Sequence, residues 1–323
     1  MKEKEFINII KNTLNSDYIG DDCAYLRDLG IVVSQDSLVE DVHFKREFIT
    51  PYQLGYKSVM VNVSDICASG AKPVYLTISL SLPNDIDTDF VKEFYQGAKS
   101  ACEYTQSSSD FCHPALDAGS PKIGIEGVKI VGGDITSADK IYISVCAIGD
   151  AKGRNVSSRK NAKEGYKVVV SGLHGSSCAG LKLLMQGKSK PEKFIKAHLQ
   201  PQAQVEFGQN TGLNIKSPYA MMDTSDGLMD ALSTIANESG VLLEIDFDKI
   251  PYDKDLEKFP NWQDMVLFGG EDYELVAVVP QDFDYGTQIG VAKQGLGVDL
   301  NINDKTIHYS KQDVENKIFN HFN

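Results

Sequence analysis

The chain has 323 residues, of which 42% are hydrophobic and 24% charged, and its formal net charge is −13. Such a length suffices for about two domains with substantial cores. The negative charge argues against general binding to nucleic acids or anionic membranes, because such proteins need a basic face to meet phosphates.

Targeting signals and cysteine motifs are not evident. The sequence has no apolar run of about twenty residues, and its start, Met-Lys-Glu-Lys-Glu, lacks the basic-then-apolar order of a signal peptide. We therefore expect a cytoplasmic protein. The six cysteines include no Cys-x-x-Cys pair, so they indicate neither a zinc site nor a disulfide framework.

Acidic residues stand beside glycine or serine at the ends of the first predicted elements. After a short predicted helix over 6–14, Gly20 precedes a pair of carboxylates that includes Asp22. A β-branched run then predicts a strand that ends in a turn over 34–37. This turn contains Asp36, a further candidate ligand for a cation.

The next predicted helix, over 51–68, carries Asn62, Ser64 and Asp65 among apolar residues. Burying an unpaired polar group costs about 1 to 3 kcal/mol, so these side chains should have partners. Asp65 is a candidate metal ligand. His43, which precedes the helix between apolar neighbours, is by itself more typical of a structural histidine than of a catalytic one.

A strand over 74–82 and an amphipathic helix over 87–104 continue an alternation typical of α/β proteins. Residues 105–127 show neither periodicity and are rich in Ser, Pro, Gly and Ala, which predicts a surface loop or disordered insertion. Its adjacent Cys112 and His113 lack the second Cys pair of a zinc site.

Two glycines follow a short predicted strand at 128–131. The second, Gly133, precedes Asp134, and glycine there lets the backbone approach a ligand closely. A clean strand over 141–148 ends this half of the chain. Gly133 and Asp134 are therefore candidates for a phosphate or metal site.

The polar stretch 149–165 predicts a junction between two domains, 1–150 and 151–323. In the second domain, a strand at 166–171 leads into the glycine-rich turn 172–177. The turn matches neither the dinucleotide-binding pattern nor the P-loop, so a structural role is favoured over phosphate binding.

The stretch A-M-M-D-T-S-D-G-L at 220–228 places Asp223 and Asp226 at a predicted strand-to-helix turn. Two carboxylates there suggest a cation site. The alternative is that Asp223 or Ser225 merely caps the helix. A metal site is favoured over a helix cap if other acidic segments converge on this turn, because a cation that binds phosphate needs several oxygen ligands.

Glu271, behind two glycines, supplies another acidic segment, which makes six in a chain with no Walker-type loop. Carboxylates repel phosphates, but aspartate clusters can hold Mg2+ ions that neutralise and bridge them. The pattern therefore predicts phosphoryl transfer. That reaction depends on positioning and charge neutralisation, so the lack of an obvious nucleophile does not count against it.

Six motifs follow one another along nearly the whole chain. They are G-D-D-C-A at 20–24, D-S-L-V-E-D-V-H-F at 36–44, N-V-S-D-I-C-A-S-G-A-K-P at 62–73, G-G-D at 132–134, D-T-S-D-G-L at 223–228 and G-G-E-D-Y-E-L at 269–275. In this order they resemble the thiamine-monophosphate kinases of the aminoimidazole-ribonucleotide-synthetase-like ATP-binding superfamily. The resemblance implies an α/β fold of α+β type with mixed sheets and helices in each of two domains.

The resemblance also implies a homodimer that transfers the γ-phosphate of ATP directly onto thiamine monophosphate, giving thiamine diphosphate. The N-terminal domain would bind Mg-ATP and dimerise, and the C-terminal domain would complete the substrate site. The implied Mg2+ ligands are Asp22, Ser34, Asp36, Ser37, Asp65, Asp134, Asp223 and Asp226. The implied ATP contacts are Gly133, Arg159 and Ser225, and the implied substrate contacts are His43, Glu271 and Phe319.

Five positions depart from the family pattern without removing a carboxylate. Asp41 stands where glycine is usual and restricts the backbone beside His43. The others are Gln35 and Ile135 for Thr, Gln204 for Arg, and Phe319 for Tyr or Trp.

Two other functions compete with this interpretation. One is another synthetase of the superfamily, of the aminoimidazole ribonucleotide or selenophosphate type. The latter would need a reactive cysteine in a glycine-rich N-terminal loop, and residues 1–20 contain none. The other is a non-catalytic Mg-nucleotide-binding protein, which we would expect to have lost ligands.

Overall fold

The computed structural model describes residues 2–107 and 127–318. The first sheet consists of β1 (Ala24–Leu26), β2 (Ile31–Val39), β3 (Lys72–Leu82), β4 (Lys129–Ser137) and β5 (Tyr142–Asp150). Their order across the sheet is β1-β2-β5-β3-β4. Neighbours are antiparallel except β3 and β4, which are parallel. Strand β4 thus forms one edge of this sheet.

Three helices belong to this half of the chain: α1 (Lys2–Leu14), α2 (Pro51–Ala68) and α3 (Thr88–Ser107). Helix α2 begins at a capping box formed by Thr50 and Gln53. Helix α3 packs closely against it, because a Cβ atom at Gly55 would lie only 1.9 Å from the carbonyl oxygen of Phe94. Glycine is therefore required at this helix contact.

The second sheet has seven strands in the described ranges. They are β6 (Lys167–Val170), β7 (Ala220–Asp223), β8 (Leu242–Asp246), β9 (Leu275–Val279), β10 (Thr287–Lys293), β11 (Gly297–Ile302) and β12 (Lys305–Tyr309). Their order is β12-β11-β8-β10-β6-β9-β7, with β8 and β11 parallel and the other neighbours antiparallel. Its helices are α4 (Ser176–Met185), α5 (Glu192–Leu199), α6 (Val205–Asn214), α7 (Leu228–Ser239), α8 (Trp262–Phe268) and α9 (Lys311–Glu315).

Two mixed sheets packed with helices confirm the predicted α/β architecture. The two halves share part of their core, since Val63 and Ile66 of α2 belong to the same buried cluster as Tyr219 and Met221 beside or within β7. Helix α2 contacts both sheets. Its C-terminal turn, which carries Asp65, is thereby held next to the end of β7. Across the described ranges, no helix combines the length and apolar character needed to span a lipid bilayer.

Two strands are longer than expected. The turn predicted at 34–37 was wrong, because β2 pairs without interruption with β5 from Ile31 to Val39. Likewise β4 continues through Gly133 and Asp134 instead of ending before them. Polar residues mark these segments because one face of each strand is not buried in the apolar core.

Candidate active site

Three carboxylates from distant parts of the sequence converge in the structure. One oxygen each of Asp22, Asp65 and Asp223 lies within 4.8 Å of the others. Asp22 precedes β1, Asp65 lies in the last turn of α2, and Asp223 ends β7. This carboxylate cluster joins the N-terminal and C-terminal halves of the chain.

Serine hydroxyl groups orient the cluster. The Asp223 carboxylate accepts hydrogen bonds from Ser64 at 2.8 Å and from Ser225 at 2.9 Å. Ser34 of β2 donates to the Asp65 carboxylate. Each carboxylate keeps further lone pairs for a cation, because an ionised carboxylate offers about four acceptor positions.

The electrostatics of the carboxylate cluster favour a bound cation. Burial, followed by the charges of Asp36 and Asp223, raises the pKa of Asp65 well above its ordinary value. Burial and then the charge of Asp22 raise the pKa of Asp223 to about 7. A divalent cation reverses this effect, because it favours the ionised ligands. Three carboxylate oxygens suit Mg2+, which prefers oxygen ligands.

Further carboxylates lie beside this cluster around the buried Tyr273. Burial raises the pKa of the Tyr273 hydroxyl, and the charges of neighbouring carboxylates add to the shift. Those neighbours are Glu271, Asp223, Asp36 and Asp226. Asp36, Asp226 and Glu271 thus surround Tyr273 together with Asp223.

Arg159 supplies positive charge next to the acidic cluster. Its guanidinium Nη2 lies 2.7 Å from Asp22, and this contact is largely shielded from solvent, since the Asp22 side chain is 7% exposed. Burial alone would lower the pKa of Arg159, but Asp22, followed by Asp21 and Asp223, more than offsets it, so the pKa is raised. The buried Nε has no hydrogen-bond partner within residues 2–107 and 127–318.

The polar groups of α2 have the partners expected from the sequence. The side-chain oxygen of Asn62 accepts the Asp36 amide hydrogen at 3.1 Å, while its amide donates to the Ser58 carbonyl at 2.9 Å. Asn62 therefore ties β2 to α2 beside Asp36, and Ser64 ties α2 to Asp223.

Gly133 and Asp134 do not join the carboxylate cluster within one chain. They lie on β4, and β5 and β3 separate that strand from β2. Three strand spacings amount to roughly 14 Å. Asp134 instead ends a row across the outer face of the sheet, reached from Ser37 through the paired positions Ser144 and Ser79.

Gly133 is constrained by its neighbour on β3. A Cβ atom at this position would lie 1.8 Å from the carbonyl oxygen of Ile78.

The side chain of Ser37, on the same outer face as Asp134, contacts the Ser144 hydroxyl at 3.1 Å. Sequence order alone could not show that Ser37 and Asp36 project to opposite faces, because the segment was predicted as a turn.

His43 has a structural contact of its own. Its Nδ1 accepts the Val39 amide hydrogen at 2.9 Å. Asp41 adopts φ of +66°, a conformation that glycine accepts more readily than other residues. Phe319 lies outside the described residues, as do Cys112 and His113.

The glycine-rich turn before α4 holds a carboxylate of this chain. The amide groups of Gly175 and Ser177 donate to Asp272 at 2.6 and 2.8 Å. Their hydrogens are therefore already engaged, which supports the structural interpretation of the turn.

At the start of α7, Gly227 occupies the N-cap and no side chain caps the helix, so capping does not explain Asp223 or Ser225.

One functional candidate escaped the sequence interpretation. Lys57 of α2 is 1% exposed, and its Nζ lies 2.8 Å from the Glu271 carboxylate. A lysine in an otherwise apolar helical segment is the signal that could have identified it, because lysine is rarely fully buried without a partner.

Comparison with known proteins places this arrangement in a family. Residues 20–151 match the family model "AIR synthase related protein, N-terminal domain", and residues 163–296 match the corresponding C-terminal domain. The chain is 36% identical to a thiamine-monophosphate kinase of Aquifex aeolicus, over 90% of this chain and 92% of that protein. The chain belongs to the thiamine-monophosphate kinase family.

Two further comparisons agree with this membership. A thiamine-monophosphate kinase of Bacillus subtilis is 34% identical, with 82% of this chain and 78% of the relative covered. A solved structure described as "AaThiL complexed with AMPPCP and TMP" matches with a TM-score of 0.81 and 34% identity. That match covers 96% of this chain and 97% of the other.

Proposed function

We propose that this kinase-family chain transfers the γ-phosphate of ATP directly onto the phosphate of thiamine monophosphate, giving thiamine diphosphate and ADP. The convergence of Asp22, Asp65 and Asp223 carries the proposal, because phosphoryl transfer depends on positioned charge neutralisation. The family membership supports it, as does the nucleotide analogue and TMP named for the similar solved structure.

We assign several Mg2+ ions to the carboxylates, where they would neutralise and bridge the phosphates of both substrates. Arg159 lies beside Asp22 and would stabilise the ATP phosphates through its remaining donors. Ser225 holds Asp223 and would contact ATP from the second half of the chain. Ser64 and Ser34 keep the carboxylates oriented before the ions bind.

The proposed roles follow the motifs. The proposed Mg2+ ligands are Asp22, Ser34, Asp36, Ser37, Asp65, Asp134, Asp223 and Asp226. The proposed ATP contacts are Gly133, Arg159 and Ser225. The proposed substrate contacts are His43, Glu271 and Phe319. We assign Mg-ATP binding and dimerisation to a domain over 1–150, and completion of the substrate site to a domain over 151–323.

We further propose that the kinase is a homodimer. Strand β4 is an edge strand, and its apolar Val131 and Ile135 are 58% and 62% exposed, while Tyr75 on β3 is 45% exposed. A second copy covering this surface would remove an exposed sheet edge. It would also bring Gly133 and Asp134 of one chain to the carboxylate cluster of the other, which one chain cannot do.

The remaining assignments rest on charge and composition. A net charge of −13 favours cytoplasmic small-molecule substrates over nucleic acid or membrane partners. Cations held by the acidic site would allow such a protein to bind nucleotides despite its negative charge.

An acceptor panel tests the proposed reaction. We expect purified protein with Mg-ATP to release ADP in a coupled assay when thiamine monophosphate is added, and to form an equal amount of thiamine diphosphate. The acceptors of the aminoimidazole ribonucleotide and selenophosphate synthetases serve as matched controls. Turnover of either control acceptor instead would support a related synthetase, and ATP binding without any product would support a non-catalytic protein.

A further inference from the structure

Lys57 lies in the middle of α2, a helix of the N-terminal half, but its contacts are in the C-terminal half. Its Nζ lies 2.8 Å from Oε1 of Glu271 and donates to the carbonyl oxygen of His198 at 3.2 Å. With 1% of its side chain exposed, against 25% for Glu271, the lysine is hidden and the glutamate side chain is partly exposed. The pair thus has a buried side and an open side.

Glu271 occupies an unusual backbone position for a non-glycine residue. Its φ is +65°, which is uncommon outside glycine, asparagine and aspartate. Its amide hydrogen is donated to the Ser225 carbonyl at 2.7 Å. Local strain of this kind persists only where surrounding contacts hold the residue, and Lys57 provides one at the end of the side chain.

The surroundings of Glu271 identify Lys57 as the source of compensating charge. Burial raises the pKa of the Glu271 carboxyl, but Lys57, followed by His198 and His43, more than offsets this, so the pKa lies below its ordinary value. His198 contacts the other carboxylate oxygen at 3.3 Å. Burial and Lys57 lower the pKa of His198 to about 4, so this ring is neutral at pH 7.

The neighbouring Ser177 does not turn this group into a nucleophilic triad. Its hydroxyl and the Glu271 carboxylate both face Nδ1 of His198, at 3.0 and 3.3 Å. A triad requires the serine and the acid on different ring nitrogens. Ser177 is also fully buried. The group therefore holds Glu271 instead of attacking a substrate.

We propose that Lys57 is a positioning residue for acceptor recognition: it fixes the ionised Glu271 carboxylate so that its open side binds thiamine monophosphate. This inference rests on the proposed function. Lys57 already balances the carboxylate charge inside the protein. Glu271 can therefore present thiamine monophosphate with oriented oxygens that accept hydrogen bonds. Each of its oxygens retains a lone pair after contacting Lys57 or His198.

Replacing Lys57 with methionine tests the proposal. We expect K57M to raise the Kd and KM for thiamine monophosphate at least tenfold, while the KM for ATP changes less than twofold. Calorimetry with Mg2+ and AMPPCP present gives the Kd, and steady-state kinetics give both KM values. K57R, which retains the charge, should recover part of the loss. A K57M protein whose acceptor Kd stays within twofold of wild type overturns the proposal.

Two further variants separate positioning from general damage. E271Q should weaken acceptor binding by a similar factor, and the K57M/E271Q double variant should be no weaker than E271Q, because both changes remove the same interaction. The double variant lacks both charges, so it also serves if K57M fails to fold. Additive losses in the double variant would contradict the proposal.

Arg154 provides a matched control, since it is another partly buried cation joining α2 to the second half, through Gly70 and Gln209. R154M should alter stability without the selective loss of acceptor binding; an equal selective loss would overturn the proposal. Wild-type protein that binds thiamine monophosphate without turnover contradicts the proposed function alone. Wild-type protein that does not bind it contradicts both.

Discussion

Replacing Asp65 with asparagine should lower kcat/KM by roughly 1,000-fold or more, yet make the metal-free protein more stable. The loss follows from removing one of the three carboxylates that we propose to hold Mg2+. Metal ions contribute several kcal/mol of transition-state stabilisation, and a loss of about 4 kcal/mol corresponds to about 1,000-fold in rate.

The gain in stability follows from the raised pKa of Asp65. A carboxyl whose pKa is higher in the folded state than in the unfolded state binds an extra proton when folded. Its contribution to the free energy of unfolding therefore falls as the pH rises above the unfolded-state pKa of about 3.9. The decrease ends once the pH has passed the folded-state pKa. Asparagine carries no charge, so D65N should gain more stability relative to wild type at pH 8 than at pH 5.

Denaturant unfolding in EDTA at both pH values measures this difference. Asp282→Asn, at an exposed aspartate outside the cluster, is the control and should change neither stability nor turnover appreciably. Wild-type turnover in D65N would remove Asp65 from the site. A stability gain that is the same at pH 5 and pH 8 would show that burial and the neighbouring carboxylates do not raise the pKa of Asp65.

A random mixture of Asp65→Asn and Asp134→Asn chains should regain about a quarter of wild-type activity, and mixed dimers isolated from it about half, although each variant alone is inactive. Asp134 lies on β4, which β5 and β3 separate from β2 in its own sheet, so we assign it to the partner's site. Random pairing makes about half the dimers mixed, and one of the two sites in each mixed dimer then carries neither substitution.

Co-expression with two different affinity tags isolates the mixed dimers for a turnover assay. Dimers of D65N with D223N are the matched control and should stay inactive, because both residues belong to the same chain's cluster. If D65N/D134N dimers are equally inactive, Asp65 and Asp134 act within one chain. Full activity of D134N alone would show that Asp134 is not needed.

Short-range patterns predicted much of the fold and several site residues. The 3.6-residue period identified α2, and polar residues inside its apolar run pointed to Asn62, Ser64 and Asp65, whose partners are now visible. Such predictions succeed because burial of an unpaired polar group is costly. A polar residue in a buried helix therefore implies a partner.

Short-range patterns could not predict which strands pair with each other across the sheet. Nothing local reveals that β5 and β3 lie between β2 and β4, which is what separates Asp134 from Asp36 in one chain. The extent of β2 was also missed, because its serines and aspartate look like a turn until they are paired with β5. The sequence did not predict the role of Lys57, because its partner, Glu271, lies more than two hundred positions away.

We expect Asp22, Asp65 and Asp223 together to hold a catalytic cation. Anomalous diffraction from crystals grown with Mn2+, AMPPCP and thiamine monophosphate tests it most directly. We predict an anomalous peak between the three carboxylates, at about 2.0 to 2.3 Å from an oxygen of each, the range for oxygen ligands of small divalent cations. A structure with both substrates bound and no peak there would contradict the account.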